Sequence, residues 1–232
     1  ILLSGGIDSS LITALASRFS KKIKTFNVKF SDNPNYDESS HAREIANHFS
    51  TDHYELNADS ISTDLLSKLS YQFDEPICDS SMLPTYLVTE LVSQHCKVAL
   101  GGDGGDELFG GYHHYSRILK LEKYTRYIPL FLRKKISNIS TDILPIGFKG
   151  RNWLQSAGID FEQDVPQVST FFDLKYKNQF YEQINFDSNY AINFRNQYIN
   201  SNINFPERAM NLDFHNYLPE DILVKVDRTS ML

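Results

Sequence analysis

The sequence predicts an α/β protein: a doubly wound parallel sheet followed by a mostly helical part. Three observations carry this. Residues 1–106 alternate short apolar strand patterns with helical periodicities. A glycine-rich turn stands between the first apolar pair, Leu2-Leu3, and the first helical stretch. From about Phe109 the strand signals fade and helical spacing runs to the end. Strands separated by helices of this length form parallel β-α-β units. The expected organisation is an α/β domain over 1–112 and a helical part of the same domain over 113–232.

The elements follow in order. Leu2-Leu3 ends a strand, and Leu11-Ile12-Thr13-Ala14-Leu15-Ala16 opens an apolar helix. Ile23–Phe30 reads as the next strand, and 31–36 as a polar turn around Pro34. Asp37 is placed to cap a helix running to about Phe49, with Ala42, Ile45, Ala46 and Phe49 on one face. His53–Leu56 is a short strand, and Ile61, Leu65, Leu66, Leu69 and Phe73 keep helical spacing. Glu75-Pro76 breaks that helix. Ser80 or Ser81 caps the next, with Pro84 tolerated in its first turn and Leu83, Leu87, Leu91 and His95 along one stripe. Lys97–Leu100 is a short apolar strand. Beyond Phe109, the Lys- and Arg-rich run Arg117–Arg151 reads as solvated helix faces, and Trp153 with the aromatic stretch to Phe205 as helical core.

Composition narrows the function. The 232 residues are 41% hydrophobic and 13% aromatic, enough for a real core, and the formal net charge is −6. An acidic chain of this kind argues against general nucleic-acid or anionic-membrane binding. No apolar run approaches the roughly 18 residues of a membrane span. Cys78 and Cys96, 18 residues apart in apolar surroundings and without a CxxC pair, read as buried free thiols of a reducing cytoplasm.

Two loops carry the chemistry. Ser4-Gly5-Gly6-Ile7-Asp8-Ser9-Ser10 joins a strand to a helix N-terminus, where close-approaching backbone N–H groups and the helix dipole favour an anion. A phosphate is the expected anion. Asp8 would repel it unless Mg²⁺ bridged the two, taking oxygens from both. The P-loop and the three-glycine dinucleotide fingerprint are excluded, since the loop lacks their Lys-Ser/Thr and their glycine spacing. The second loop, Gly101–Tyr112, packs six glycines and three acids into twelve residues. In doubly wound sheets both loops lie at the ligand edge, beyond the C-terminal strand ends. Asp106 can then supply a second carboxylate to the same Mg²⁺, while the glycines let a nucleotide lie flat.

The first loop resembles the Ser-Gly-Gly-x-Asp-Ser loop of the N-type ATP pyrophosphatases. Together with Gly102-Asp103-Gly104-Gly105-Asp106-Glu107-Leu108-Phe109-Gly110-Gly111-Tyr112, Phe73-Asp74-Glu75-Pro76, Pro84-Thr85-Tyr86 and Tyr217–Arg228, it resembles the synthetase part of the glutamine-hydrolysing asparagine synthetases. The resemblance implies a sheet of the adenine-nucleotide alpha-hydrolase type. It also implies a ligase in which a carboxylate attacks the α-phosphate of ATP, pyrophosphate leaves, and ammonia displaces AMP to give an amide. By the same resemblance Ser4, Gly5, Gly6, Ser9 and Ser10 hold the pyrophosphate, and Asp8 and Asp106 hold Mg²⁺. Backbone near Leu3, Val28 and Gly102 frames the adenosine, and Asp103 is the acid beside the adenylate that accepts a proton from ammonium.

Aspartate, amidated to asparagine, is the acceptor the family implies. Asparagine-forming members usually carry Glu where Asp103 stands. Members of the Gly-Asp-Gly-Gly-Asp-Glu form resemble amidotransferases of surface-polysaccharide clusters, so a sugar acid is the alternative acceptor. A non-catalytic nucleotide-binding module is the alternative of another class, and the Asp8–Asp106 pair argues against it. The expected setting is cytoplasmic, with ammonia from a glutaminase domain outside this chain and a homodimer as the expected assembly. The chain opens at Ile1 inside a strand, and the family's pattern continues past Leu232 to a further active-site lysine. This stretch is therefore expected to be a fragment that does not turn over alone. His113, His114, Lys225 and Arg228 are further candidates to reach the cleft.

Overall fold

The structure, a computed structural model, describes residues 1–29, 37–57, 63–77, 79–166, 179–180 and 190–231. The expected turn at Pro34, Ile61, Cys78 and much of the aromatic stretch before Tyr190 lie outside these residues. The chain forms two compact units, one of Ile1–Gly105 with Pro219–Leu232 and the other of Asp106–Leu218. The C-terminal segment Pro219–Leu232 thus returns to the first unit.

In the first unit, β1 (Lys24–Lys29) pairs in parallel with β2 (Asp52–Asn57), in register from Lys24 opposite Asp52 to Lys29 opposite Asn57. On the other side of β1, Leu2 bridges Phe26 in parallel. The Leu3 N–H donates to the Phe26 carbonyl at 2.8 Å, and the Phe26 N–H to the Ile1 carbonyl at 2.9 Å. Beyond Leu2 lies Leu100, whose carbonyl accepts from the Leu2 N–H at 2.9 Å. The spatial order is thus β2, β1, Leu2, Leu100. The order runs backwards through the first three segments and then jumps to the fourth, which is a switch point between the first and fourth. Two expected strands are reduced here. Among the described residues Leu2-Leu3 forms a single bridge, and Lys97–Leu100 forms no strand but bonds to Leu2 through the Leu100 carbonyl.

The helices of this unit are α1 (Ile7–Ser17), α2 (Ser39–Phe49), α3 (Thr63–Phe73) and α4 (Met82–Ser93). α2 buries Ala42 and Ala46 against Leu3, as its spacing predicts. Asp37 does not cap it by itself. Its carboxylate accepts the Ser39 N–H at 3.1 Å from one residue before the N-cap position, an Asx turn leading into the helix. On α3, Leu69 and Phe73 are buried with Tyr86 of α4, but Leu66 faces solvent, because the stripe narrows to one side. The α3 helix stops at Phe73, and Asp74 takes a left-handed φ of 59° ahead of Glu75-Pro76. On α4 the deepest positions are Tyr86 and Val92 rather than the leucine stripe, which stays half-buried, while His95 lies exposed past the helix end. α1 is inverted relative to an ordinary amphipathic helix. It buries Ser9 and Thr13 and leaves Ile7, Leu11 and Leu15 exposed, with the Thr13 hydroxyl bonded back to the Ser9 carbonyl at 2.9 Å.

The second unit is helical: α5 (Gly105–Phe109, its first residue in the first unit), α6 (His113–Thr125), α7 (Leu130–Ile143), α8 (Arg151–Ser156), α9 (Tyr190–Asn196) and α10 (Phe205–His215). Tyr115, Ile118, Val165, Ala209 and Leu212 form one core cluster; Leu121, Ala157 and Phe161, with Trp153 packed on them, form another. Asn204 caps α10 by accepting the Glu207 N–H at 3.0 Å. The reading of Arg117–Arg151 as solvated faces needs correction at two positions. Arg133 and Arg151 are buried, and Arg133 donates to the carbonyls of Ile128, Ala157 and Ile159. A π-helical turn, Leu218–Leu223, leads into α11 (Val224–Ser230), which packs on α3 and α4 of the first unit. There Lys225 Nζ bonds Asp79 Oδ2 at 2.8 Å and Ser81 Oγ at 2.6 Å, and Arg228 pairs with Glu75 at 3.1 Å.

Candidate nucleotide site

The first loop leaves the sheet at Leu3 and is closed by its own serines. The Gly6 N–H donates to Ser4 Oγ at 3.1 Å, Ser4 Oγ and Ser9 Oγ lie 3.0 Å apart, and the Ser4 N–H reaches Ser9 Oγ at 3.3 Å. Gly6 occupies the N-cap position of α1, with no side-chain cap bond. The first-turn N–H groups are therefore not consumed by a capping side chain, which suits a helix N-terminus offered to an anion. Ser10 Oγ in the same turn is buried with no hydrogen-bond partner. Gly5 is required twice over. Its φ is +85°, and a β-carbon would sit 2.6 Å from His41 Cβ and 2.7 Å from the Ala42 nitrogen, where α2 packs on the loop. His41 thus has a packing role.

The second loop meets the first at Asp8. A β-carbon on Gly102 would lie 3.2 Å from Asp8 Cβ and 3.3 Å from the Ser9 nitrogen, and one on Gly105 would lie 2.5 Å from Asp8 Cγ. These glycines let the half-buried Asp8 carboxylate lie between the α1 N-terminus and the second loop. Asp103 is exposed and turns back toward Gly101, whose β-carbon would meet Asp103 Oδ2 at 2.6 Å. Leu3 is buried, and Val28 sits on β1 opposite Leu56. So Leu3, Ser4, Gly5, Gly6, Asp8, Ser9 and Gly102 are brought together, with Asp103 at the margin.

In the second unit, Asp106 opens the body of α5. Its carbonyl accepts the Gly110 and Gly111 N–H groups at 2.9 and 3.0 Å, and its carboxylate lies against Gly111, where no β-carbon could fit. Glu107 is buried and accepts the Tyr112 hydroxyl at 2.7 Å. Burial and this carboxylate push the Tyr112 hydroxyl well above the ordinary tyrosine range, so it stays a donor. His114, a candidate to face substrate, is instead bonded to Asp213 at 2.9 Å. In the first unit, Lys225 donates to Asp79 and Ser81, while Arg228 pairs with Glu75 through Nη2 and keeps a buried Nη1 with no hydrogen-bond partner among the described residues.

Does this donor set fit Mg²⁺? Among the described residues no group of three or more His, Cys, Asp or Glu is arranged for a metal. Mg²⁺ commonly binds through one or two carboxylates and completes its shell with phosphate oxygens and water. Asp8, held in a glycine cradle at a helix N-terminus, fits that pattern.

Three residues that position the site were not singled out from the sequence: Asn27, Ser39 and Gly105. Asn27 Nδ2 donates to the Leu3 carbonyl at 3.1 Å, and the Ser39 hydroxyl meets Asn27 Oδ1 at 2.7 Å. The available signal was an asparagine inside the apolar strand Phe26–Val28.

A strand, a Ser-Gly-Gly turn, a helix N-terminus and a second glycine-acid loop at the switch point define a nucleotide-binding α/β domain. The asparagine synthase family model matches residues 1–232, and the chain belongs to that family. The fold is accordingly of the adenine-nucleotide alpha-hydrolase type. The chain is similar to glutamine-hydrolysing asparagine synthetase 1 of Bacillus subtilis strain 168, at 30% identity over 239 residues, covering 99% of this chain and 36% of that one. Relatives of Methanocaldococcus jannaschii (30% identity, 99% of this chain and 44% of that one) and Mycobacterium tuberculosis H37Rv (28%, 99% and 35%) carry the same designation provisionally. The chain thus spans well under half the length of these curated relatives. No helix among the described residues is long and apolar enough to cross a membrane.

Proposed function

We propose that this chain is the ATP-using part of an amide-forming ligase, and that aspartate is the acceptor. A carboxylate oxygen of the acceptor attacks the α-phosphorus of ATP, and the bond to the bridging oxygen breaks to release pyrophosphate. Ammonia then attacks the acyl carbon of the adenylate, loses a proton, and expels AMP. The first-loop serines and glycines, Ser4, Gly5, Gly6, Ser9 and Ser10, hold the pyrophosphate, and the dipole of α1 favours its charge. Backbone at Leu3, Val28 and Gly102 frames the adenosine. Asp103, exposed at the loop margin, accepts the proton from the attacking amine. Asp8 and Asp106 are the carboxylates that would hold Mg²⁺, which when bound neutralises charge on the leaving group.

The observation that carries this reading is the Asp8 carboxylate seated against Gly102 and Gly105 at an uncapped helix N-terminus. A first-turn carboxylate also steadies an ordinary helix, but an ordinary turn does not require glycine at two positions of a second loop to seat it. The names of the relatives support aspartate as acceptor and glutamine as the ammonia source, and we extend both to the whole protein, with a cytoplasmic setting and a homodimer. Asp103, one methylene shorter than the Glu usual in asparagine-forming members, keeps a sugar acid as the second reading. ATP–pyrophosphate exchange on the complete protein, with aspartate and a panel of uronic acids, decides. Exchange dependent on aspartate supports the proposal. Exchange with a uronic acid alone moves the acceptor, and ATP binding with no exchange for any carboxylate reduces the chain to a binding module.

A further inference from the structure

The ladder between the first segment and β1 stops one rung early. It runs from the Phe26 N–H to the Ile1 carbonyl and from the Leu3 N–H to the Phe26 carbonyl. The alternation of a parallel ladder places the next bond between the Val28 N–H and the Leu3 carbonyl. That bond is not made. The Asn27 side chain takes the Leu3 carbonyl instead, at 3.1 Å.

Asn27 is itself fixed. It is 6% exposed, and its Oδ1 accepts from the Ser39 hydroxyl at 2.7 Å. That hydroxyl is shared with Asp37 Oδ1, which also accepts the Ser39 N–H. The chain of bonds therefore runs from the entry of α2, through Ser39 and Asn27, to the last carbonyl before the Ser4 loop. Its effect is to satisfy Leu3 without using Val28. By the same alternation the Val28 N–H and carbonyl face the side that Phe26 presents to the first segment, where the ladder has ended. A planar base with a donor and an acceptor on one edge matches that opening.

We propose that Asn27, anchored by Ser39, is the positioning residue of the nucleoside half of this site. It holds the Leu3 carbonyl away from Val28 and so keeps the Val28 backbone edge open for the base. This rests on the ATP-binding reading above. Leu3 and Val28 contact the nucleoside in that reading; Asn27 and Ser39 act through them.

The test separates the two halves of the nucleotide on the complete protein, with calorimetric titration of AMP and of pyrophosphate with Mg²⁺. In Asn27→Ala and in the milder Ser39→Ala, the Kd for AMP rises about tenfold, the scale of one lost buried hydrogen bond. The Kd for pyrophosphate stays within about twofold, because the Ser4–Ser9 closure is untouched, and Ser39→Thr, which keeps the hydroxyl, retains wild-type AMP affinity. Unchanged AMP affinity in both alanine variants overturns the inference. So does a parallel loss of AMP and pyrophosphate binding, which would mark Asn27 as a support for the whole loop. A wild-type protein that binds neither AMP nor ATP would overturn the functional reading itself, before any variant is compared.

Discussion

Gly105 and Asp8 are packed so closely that a β-carbon on the glycine would lie 2.5 Å from Asp8 Cγ, 2.7 Å from Oδ1 and 2.9 Å from Oδ2. The absence of a side chain at one residue is what gives the other its place. Gly105→Ala must therefore move the carboxylate. Displacing a well-placed charged group costs about 10²–10³ in rate, whereas the overpacking itself costs about 1–3 kcal/mol. We expect ATP–pyrophosphate exchange to fall about a hundredfold while the protein stays folded, as a urea titration beside the kinetic assay would establish. Near-normal exchange would remove Asp8 from the site.

Arg133 holds the turns of the second unit together. Its guanidinium serves the carbonyls of Ile128, Ala157 and Ile159 at 3.1, 3.0 and 2.7 Å and lies over the Phe161 ring. Arg133→Met strands the buried Ala157 carbonyl and two half-buried ones and is expected to cost about 3 kcal/mol, and Arg133→Lys recovers little because an ammonium cannot fork to separate carbonyls. The neighbouring exposed Lys134→Met should stay within about 0.5 kcal/mol. Equal midpoints for the Arg133 and Lys134 variants in chemical denaturation would refute the assignment.

The Asp79–Lys225 pair gives a pH signature. Burial acts to raise the Asp79 carboxyl, but donation from Lys225 and Ser81 outweighs it, and the pKa falls below the ordinary 3.8. A depressed folded value means the unfolded chain takes up the proton first. The stabilisation is present above the unfolded pKa of about 3.9 and is lost as pH falls through the lower folded one. Urea midpoints between pH 5 and 2 should decline more steeply for the wild type than for Asp79→Asn. In Lys225→Met the decline should flatten, since burial acting without its counter-charge raises the folded value toward the unfolded one. Superimposable pH profiles for wild type and Asp79→Asn would contradict this.

What could be read from the sequence was what depends on near neighbours. The Ser4–Ser10 and Gly101–Tyr112 loops declare themselves because glycine conformation and carboxylate chemistry are local properties. The alternation of strand and helix followed from side-chain period, and α2 and β2 fell where spacing put them. The failures involve contacts across long stretches of chain. Arg133 looks like any surface cation in a basic run until the carbonyls near residues 157–159, more than twenty positions away, are seen to need it. The inverted α1 could not be foreseen, because its Ile7, Leu11 and Leu15 side reads as the core face of an ordinary amphipathic helix. Asn27 reads as an odd polar residue in a strand, because its partner Leu3 is 24 positions earlier.

The return of the chain to the first unit has a consequence for how the protein comes to be folded. The Lys225–Asp79 bond joins residues 146 apart, and the Gln72 side chain reaches the Arg228 carbonyl across 156. Asp106–Leu218, by contrast, is a continuous stretch that can condense on its own contacts. Loop-closure entropy rises with the length of free chain between the ends, by about 0.6 kcal/mol per doubling. Condensation of the inserted helical stretch shortens that free chain before α11 docks on α3 and α4. On a ribosome, where synthesis runs from the N-terminus, the sheet and both glycine loops emerge before the helix that docks beside them. Completion of the nucleotide-binding unit thereby follows the folding of the segment inserted in its sequence.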